Sequence, residues 1–183
     1  MLIMKEVELK AKIEDIESFR QVLLDHNTAH IYSGFMEDII FDHPQLNLNR
    51  CGEKMRLRKY EQNNKTKLQW KGPITRRKGF KEREELSVEV DSFDSLKNML
   101  EKLGFKEKSR VKRYIELYEI EGVTFRIEKY EQMDTLVEVE GDREAIDNIL
   151  NKLPLQRADF TSKTFGEFIK AFEKRTGKKA ILS

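Results

Sequence analysis

The feature that most constrains this chain is an alternation of ionised and apolar side chains, repeated over segment after segment. Near the amino terminus Glu6, Glu8 and Lys10 share one face, while Val7, Leu9 and Ala11 share the other. A period of two is the signature of a strand with two different faces. The pattern returns where Arg56 and Arg58 flank Leu57, and where Lys67, Gln69 and Lys71 alternate with Leu68 and Trp70. It continues with Arg83, Glu85, Ser87 and Glu89, with Arg110 and Lys112 around Val111, with Thr124, Arg126 and Glu128, and with Glu138 and Glu140. Strands are predicted over 5–11, 37–42, 54–60, 66–72, 82–90, 110–119, 123–129 and 136–140. Hairpin turns are predicted at Gln62-Asn63-Asn64-Lys65 and at Glu121-Gly122.

Four helices separate or follow these strands. One is expected over 15–26 with Ile16, Phe19, Val22 and Leu23 on its apolar side. A second carries Phe93, Leu96, Leu100 and Leu103 and stops at Gly104. Asp142 caps a third bearing Ile146, Ile149, Leu150 and Leu153. Thr164 and Glu167 form a capping box for a fourth that Gly177 closes. A weak internal repeat sets the stretch from Glu8 and its helix against the stretch from Glu85 and its helix. No Pro/Gly/Ser-rich linker divides the halves, so one α+β domain over 1–176 is expected, with a loose tail over 177–183. The stretch from Gly72 to Gly79 reads as a basic loop.

Two architectures accommodate such strands. In an open sheet packed on helices, the charged faces simply meet water. In a closed barrel, the charged faces line the interior and no edge is exposed. The second is favoured, because these faces are ionised and carry both signs on the same strands. An empty interior of that kind is costly, since desolvating each ion costs several kcal/mol. Cations facing phosphate oxygens offset the cost, as do carboxylates facing a divalent cation. One contact between opposite charges at ~4 Å contributes on the order of 4 kcal/mol at an effective dielectric of ~20.

Composition narrows the rest. The 183 residues carry 35 basic and 33 acidic side chains, a formal charge of only +2, which gives no cationic coat for nucleic acid. No apolar run suggests a membrane span or a signal peptide. Cys51 is the single cysteine, so no intrachain disulfide forms and a cytoplasmic setting is expected. Cys51 reads as an ordinary loop thiol, and His26, His30 and His43 are given no catalytic role.

The ordered motifs Glu6-Val7-Glu8-Leu9-Lys10, Glu37-Asp38-Ile39-Ile40-Phe41-Asp42, Arg56-Leu57-Arg58, Trp70-Lys71-Gly72-Pro73, Arg83 with Glu85, and Glu138-Val139-Glu140 resemble the CYTH, or triphosphate tunnel, proteins. That family includes class IV adenylyl cyclases and thiamine triphosphatases. The resemblance implies an eight-stranded antiparallel β-barrel with a charged lumen and helices outside, a triphosphate-bearing small molecule, and Mg²⁺ or Mn²⁺. Ile40 stands where the family often has tyrosine, Ser87 where it has a second glutamate, Tyr114 where it has arginine, and Glu128 where it has aspartate. These departures bear on substrate choice. Glu6, Glu8, Glu138 and Glu140 are the expected metal ligands, being hard oxygen donors. Lys10, Arg56, Arg58, Lys71, Arg83, Lys112 and Arg126 are the expected phosphate ligands. Arg110 is a weaker candidate. Glu6, Glu8 and Lys10 are the catalytic candidates. Glu85 and Glu128 either orient the cations or form structural ion pairs. The expected activity is metal-dependent triphosphate hydrolysis by a monomer or homodimer. Adenylate cyclisation and non-catalytic nucleotide or polyphosphate binding stand as alternatives.

Overall fold

The computed structural model describes residues 4–182. Its elements run β1 (Met4–Ile13), α1 (Ile16–Asp25), β2 (Ala29–Asp42), β3 (Lys54–Tyr60), β4 (Lys65–Lys71), β5 (Thr75–Arg77), β6 (Phe80–Val90), α2 (Phe93–Lys102), β7 (Lys106–Ile120), β8 (Val123–Lys129), β9 (Thr135–Glu140), α3 (Arg143–Lys152), a 3₁₀ turn (Arg157–Asp159) and α4 (Phe165–Thr176). The strands pair antiparallel in the order β1-β9-β8-β7-β2-β3-β4-β6, and β1 pairs back onto β6. The result is a closed eight-stranded barrel with helices outside. Closure leaves no long unpaired edge in the ring.

The halves of the internal repeat, β1–β4 and β6–β9, exchange their leading strands. β1 lies between β6 and β9, while β6 lies between β1 and β4. β2 and β7, the second strands of the halves, pair with each other at the far side of the ring. Neither half closes a barrel by itself.

The apolar core lies outside the barrel wall, as the alternation requires. Leu9, Phe125, Ile127, Val137 and Val139 point outward and are covered by Phe19 and Leu23 of α1 and by Ile146, Ile149 and Leu150 of α3. A smaller cluster puts Leu100, Phe93 and Leu96 of α2 on Ile39, Phe41 and Leu57. Trp70 is half-buried and belongs to neither cluster. The helix ends follow the sequence signals: Asp15 accepts from the Ser18 amide, Asp142 from that of Glu144, and Thr164 with Glu167 makes the full capping box. Gly177, in the left-handed region at φ 69°, closes α4.

Three expectations needed correction. β2 and β7 are longer than predicted, because Gly34 and the bulged pairing between them carry the ladder through segments without clean alternation. The basic stretch 72–79 contains β5, whose residues Thr75 to Arg77 pair with Glu82 to Phe80. The carboxyl-terminal tail is pinned: Ile181 and Gln132 exchange backbone hydrogen bonds of 3.0 and 3.2 Å, and Leu182 O accepts from Lys112 N at 2.6 Å.

Candidate active site inside the barrel

The inward faces of the strands enclose a cavity of about 290 Å³. Glu6, Glu8 and Lys10 reach it from β1, Lys54 and Arg56 from β3, Lys71 from β4, Lys81 and Arg83 from β6, Arg126 and Glu128 from β8, and Glu138 from β9. Asp38 and Arg113 enter from β2 and β7. Thr164, Phe165 and Ile169 of α4 and Leu182 of the tail add to the lining. None of the three histidines lines it.

On one side of the lumen, charge is closed on itself. Arg58 holds both oxygens of Asp38 at 2.7 and 2.8 Å, and Arg113 Nη2 adds a third bond at 2.9 Å. Arg113 and Arg126 each donate to Glu128 at 3.0 Å, and Tyr130 donates to it at 2.7 Å. Burial alone raises the carboxyls of Asp38 and Glu128. Arg58 and Arg113 outweigh it for Asp38, and Arg113 and Arg126 for Glu128, leaving both well below the usual range. Arg126 also pairs with Glu138. These cations are largely spent on protein.

The opposite side is unbalanced. Lys54 makes no hydrogen bond or ion pair among the described residues, and Arg56 comes no nearer than 3.6 Å to a carboxylate, that of Asp38. Lys54 and Lys71 are direct cross-strand partners, an arrangement that costs stability because like charges repel at that spacing. Desolvation by the surrounding walls lowers the Lys54 ammonium to about 8, and Arg83, Lys81, Arg56 and Lys71 push it the same way. Lys71 is held by Glu6 at 2.5 Å and by Glu85, which Gln69 also contacts. Lys81 rests on Glu8 at 2.6 Å. Arg83 spends its guanidinium on backbone: Nε donates to Gly72 O at 2.9 Å, and Nη2 to Lys71 O at 3.0 Å and Gly52 O at 3.4 Å. Cations outnumber carboxylates along the whole lining.

Between these regions lie the acids. One oxygen each of Glu6, Glu8 and Glu138 falls within 4.8 Å of the others, and all three residues are buried. Glu6 Oε2 is buried without a hydrogen-bond partner. An unclaimed carboxylate oxygen facing two others is the donor set that a hard divalent cation takes, so the residues present fit Mg²⁺ or Mn²⁺. Burial raises Glu6, but Lys71 outweighs it and brings the carboxyl to about 2. Glu140 shares the inward face of β9 with Glu138 and pairs in register with Glu8. It has no ion pair among the described residues, and burial, then Glu6, raises its carboxyl. Lys10 sits among the acids, paired with Glu138 and 3.5 Å from Glu8. Burial lowers its ammonium to about 8 against the pull of Glu8.

Lys112 is the correction among the expected phosphate ligands. Its side chain is 44% exposed and pairs with Glu61 at 2.7 Å outside the barrel. Arg110 points outward too, to Glu37 and Glu107. The inward residues of β7 are Ser109, Val111 and Arg113. The outer face here meets water and keeps its charges solvated, since α1 reaches only as far as Glu116, through Arg20. Sequence reasoning missed Lys81, Lys54, Asp38 and Arg113. Lys81 and Lys54 were within reach, each lying two residues before a recognised inward arginine. Arg113 was hidden by its charged neighbour Lys112.

A closed antiparallel barrel with its core outside and an ionised lumen defines the β-tunnel class. Within that class the CYTH domain model matches residues 4–163, and the chain belongs to that family. A Methanocaldococcus jannaschii protein that carries the name "Putative adenylate cyclase MJ0240" is 29% identical over 137 residues, 75% of this chain and 77% of that one. The solved PH1819 protein of Pyrococcus horikoshii superposes with a TM-score of 0.73 at 28% identity, over 91% of this chain and 98% of that one. A Hippeastrum adenylyl cyclase homologue, whose structure is described as revealing a dominant triphosphatase activity, shares the fold at TM-score 0.63 and 18% identity, over 94% and 96% of the two chains. Among the described residues no helix is long and apolar enough to cross a membrane.

Proposed function

We propose that the protein is a divalent-metal-dependent triphosphatase acting on a triphosphate-bearing small molecule held inside the barrel. The observation that carries the reading is the cluster of under-compensated cations, Lys54, Arg56, Lys71 and Lys81, set beside three buried carboxylates with an unclaimed oxygen. Phosphoryl transfer asks the protein mainly for position and charge stabilisation. Arg56, Lys71 and Lys81 bind the phosphate oxygens, and Arg126 reaches them from the far wall. Glu6, Glu8 and Glu138, with Glu140 beside them, hold the metal. When bound, Mg²⁺ or Mn²⁺ supplies charge neutralisation on the phosphates and a lowered pKa for coordinated water. Lys10, brought to about 8 at a site between Glu8 and Glu138, holds a proton at Nζ that it can exchange near neutral pH. Glu85 orients Lys71, and Arg83 fixes the backbone at Gly52 and Gly72 around the mouth.

A cyclase reading uses the same grip, with a ribose hydroxyl attacking the α-phosphorus, and the name of the archaeal relative favours it. The decisive experiment is incubation with tripolyphosphate, thiamine triphosphate and ATP, each with Mg²⁺ or Mn²⁺ and with chelator. Orthophosphate released from tripolyphosphate, and lost with chelator, is the expected result. Cyclic AMP and pyrophosphate from ATP as the main products overturn it in favour of the cyclase. Saturable binding without turnover leaves a non-catalytic binder.

A further inference from the structure

A second cavity, about 440 Å³, opens at the barrel mouth between the β2–β3 loop and the start of β7. It shares Ile40, Lys54 and Ser109 with the lumen cavity, so the two are continuous. Its remaining walls include Asn47, Asn49 and Arg50 of the loop and Lys108 of β7. The side chains of Arg50, Lys54 and Lys108 make no ion pair or hydrogen bond among the described residues. The carboxylates there are already engaged. Asp42 accepts the backbone amides of His43 and Leu48, each at 2.8 Å, and Glu53 accepts Trp70 Nε1 at 3.3 Å.

We propose that this cavity is a subsite for the continuation of a linear polyphosphate chain, making inorganic chains longer than three phosphates the preferred substrate. The inference rests on the lumen being a triphosphate site. Three uncompensated cations and two amide side chains offer donors to oxyanions. The cavity offers no π-face to a nucleobase or a thiazolium ring: Phe41, its one aromatic neighbour, is 1% exposed and faces α2. A nucleoside or thiamine moiety therefore gains little here, whereas each further phosphate meets another cation. With the last three phosphates in the lumen, water oxygen bonds to the terminal phosphorus and the bridging P–O bond breaks. Orthophosphate and a chain shorter by one unit result, and the water proton passes to solvent.

The test compares linear hexaphosphate, tripolyphosphate and ATP at one ionic strength, reading orthophosphate release for KM and calorimetry for Kd. Wild type is expected to favour hexaphosphate over tripolyphosphate by about tenfold or more, the scale of one lost charge-assisted hydrogen bond. In an R50S/K108S double variant that preference should shrink to within about twofold, with the thermal midpoint unchanged. A K170S/K174S variant on the exposed face of α4 should keep it, which separates a local subsite from general attraction to a basic protein. Equal KM for hexaphosphate and tripolyphosphate in wild type overturns the subsite, as does a preference that survives in R50S/K108S. Preference for ATP over both inorganic chains also overturns it. If tripolyphosphate itself neither binds nor turns over, the lumen reading fails first and the subsite falls with it.

Discussion

At the residue scale, the unbalanced wall of the lumen makes a sharp distinction between two lysines. Lys81 is buried against Glu8 with its charge turned to the cavity, whereas Lys112 lies outside the barrel in a half-exposed pair. Replacing Lys81 by Met removes a charge-assisted contact of roughly 1.5–3 kcal/mol. A K81M variant should therefore lose on the order of 10- to 150-fold in kcat/KM for tripolyphosphate. A K112A variant should stay within about twofold, because exposed ion pairs contribute little. The reverse ranking would mean that the inward face of β7 has been misassigned. Lys54 gives a second test. Its ammonium titrates near 8 because its surroundings desolvate it and Arg83, Lys81, Arg56 and Lys71 repel its proton. Below that pH the side chain is charged and attracts anions; above it the charge is lost. Tripolyphosphate affinity without metal should thus fall as pH rises through about 8, far earlier than for an ordinary lysine. Calorimetry across pH 7 to 10 checks this, and in a K54M variant the step should be missing.

Elements are tied to the barrel by similar chemistry outside it. Glu116 of β7 accepts Arg20 of α1 at two positions of 2.8 Å and Lys129 of β8 at 2.9 Å. The Arg20 hydrogen bonds lower its carboxyl first, against burial, and Lys129 adds to them, to about 2. A depressed carboxyl stabilises the fold fully above its unfolded value near 4.5, and that contribution is lost as pH falls through 2. Urea midpoints of an E116Q variant should lie below wild type at pH 7, and the gap should close between pH 4.5 and 2. A gap that persists at pH 2 would assign the loss to packing instead. β7 also marks where the sequence stopped being legible. For β1, β3, β4 and β9, charge alternates against an apolar face that α1, α2 or α3 covers, so phase and burial agree and the inward residues could be read directly. Along 106–113 of β7 both faces are polar, because the outer one is solvated. Periodicity alone then cannot choose between Lys112 and Arg113, and only the tertiary placement of the helices decides. Asp38 escaped for a related reason: its role comes from Arg58 and Arg113 on neighbouring strands, which no local pattern encodes. The helix ends, fixed by local caps, were all legible.

Over the whole molecule, the exchange of leading strands joins stability to the site. The half up to β4 lends β1 to the other half's last strand, and β6 returns the exchange, so the barrel closes only when both are present. The lumen is divided in the same way: Glu6, Arg56 and Lys71 come from the first half, and Lys81, Arg126 and Glu138 from the second. A cut at the β5–β6 turn, between Lys78 and Gly79, separates the halves without breaking a helix, since both residues sit in exposed turn positions with positive φ. Each fragment should be largely unfolded alone, because an incomplete sheet leaves unpaired edges and bare apolar faces. Mixed, the two should regain strand content by circular dichroism and recover activity. A triphosphate spans residues of both fragments, so it should strengthen their association. A ligand bound at 100 times its dissociation constant adds ~2.7 kcal/mol to whatever it binds. That is about a hundredfold in the fragments' apparent affinity for each other. The gain should disappear when Lys71 on one fragment or Lys81 on the other is replaced by Met. Strengthening that survives both substitutions would place the anion somewhere other than the lumen, and a fragment that folds alone would break the link between the repeat and barrel closure.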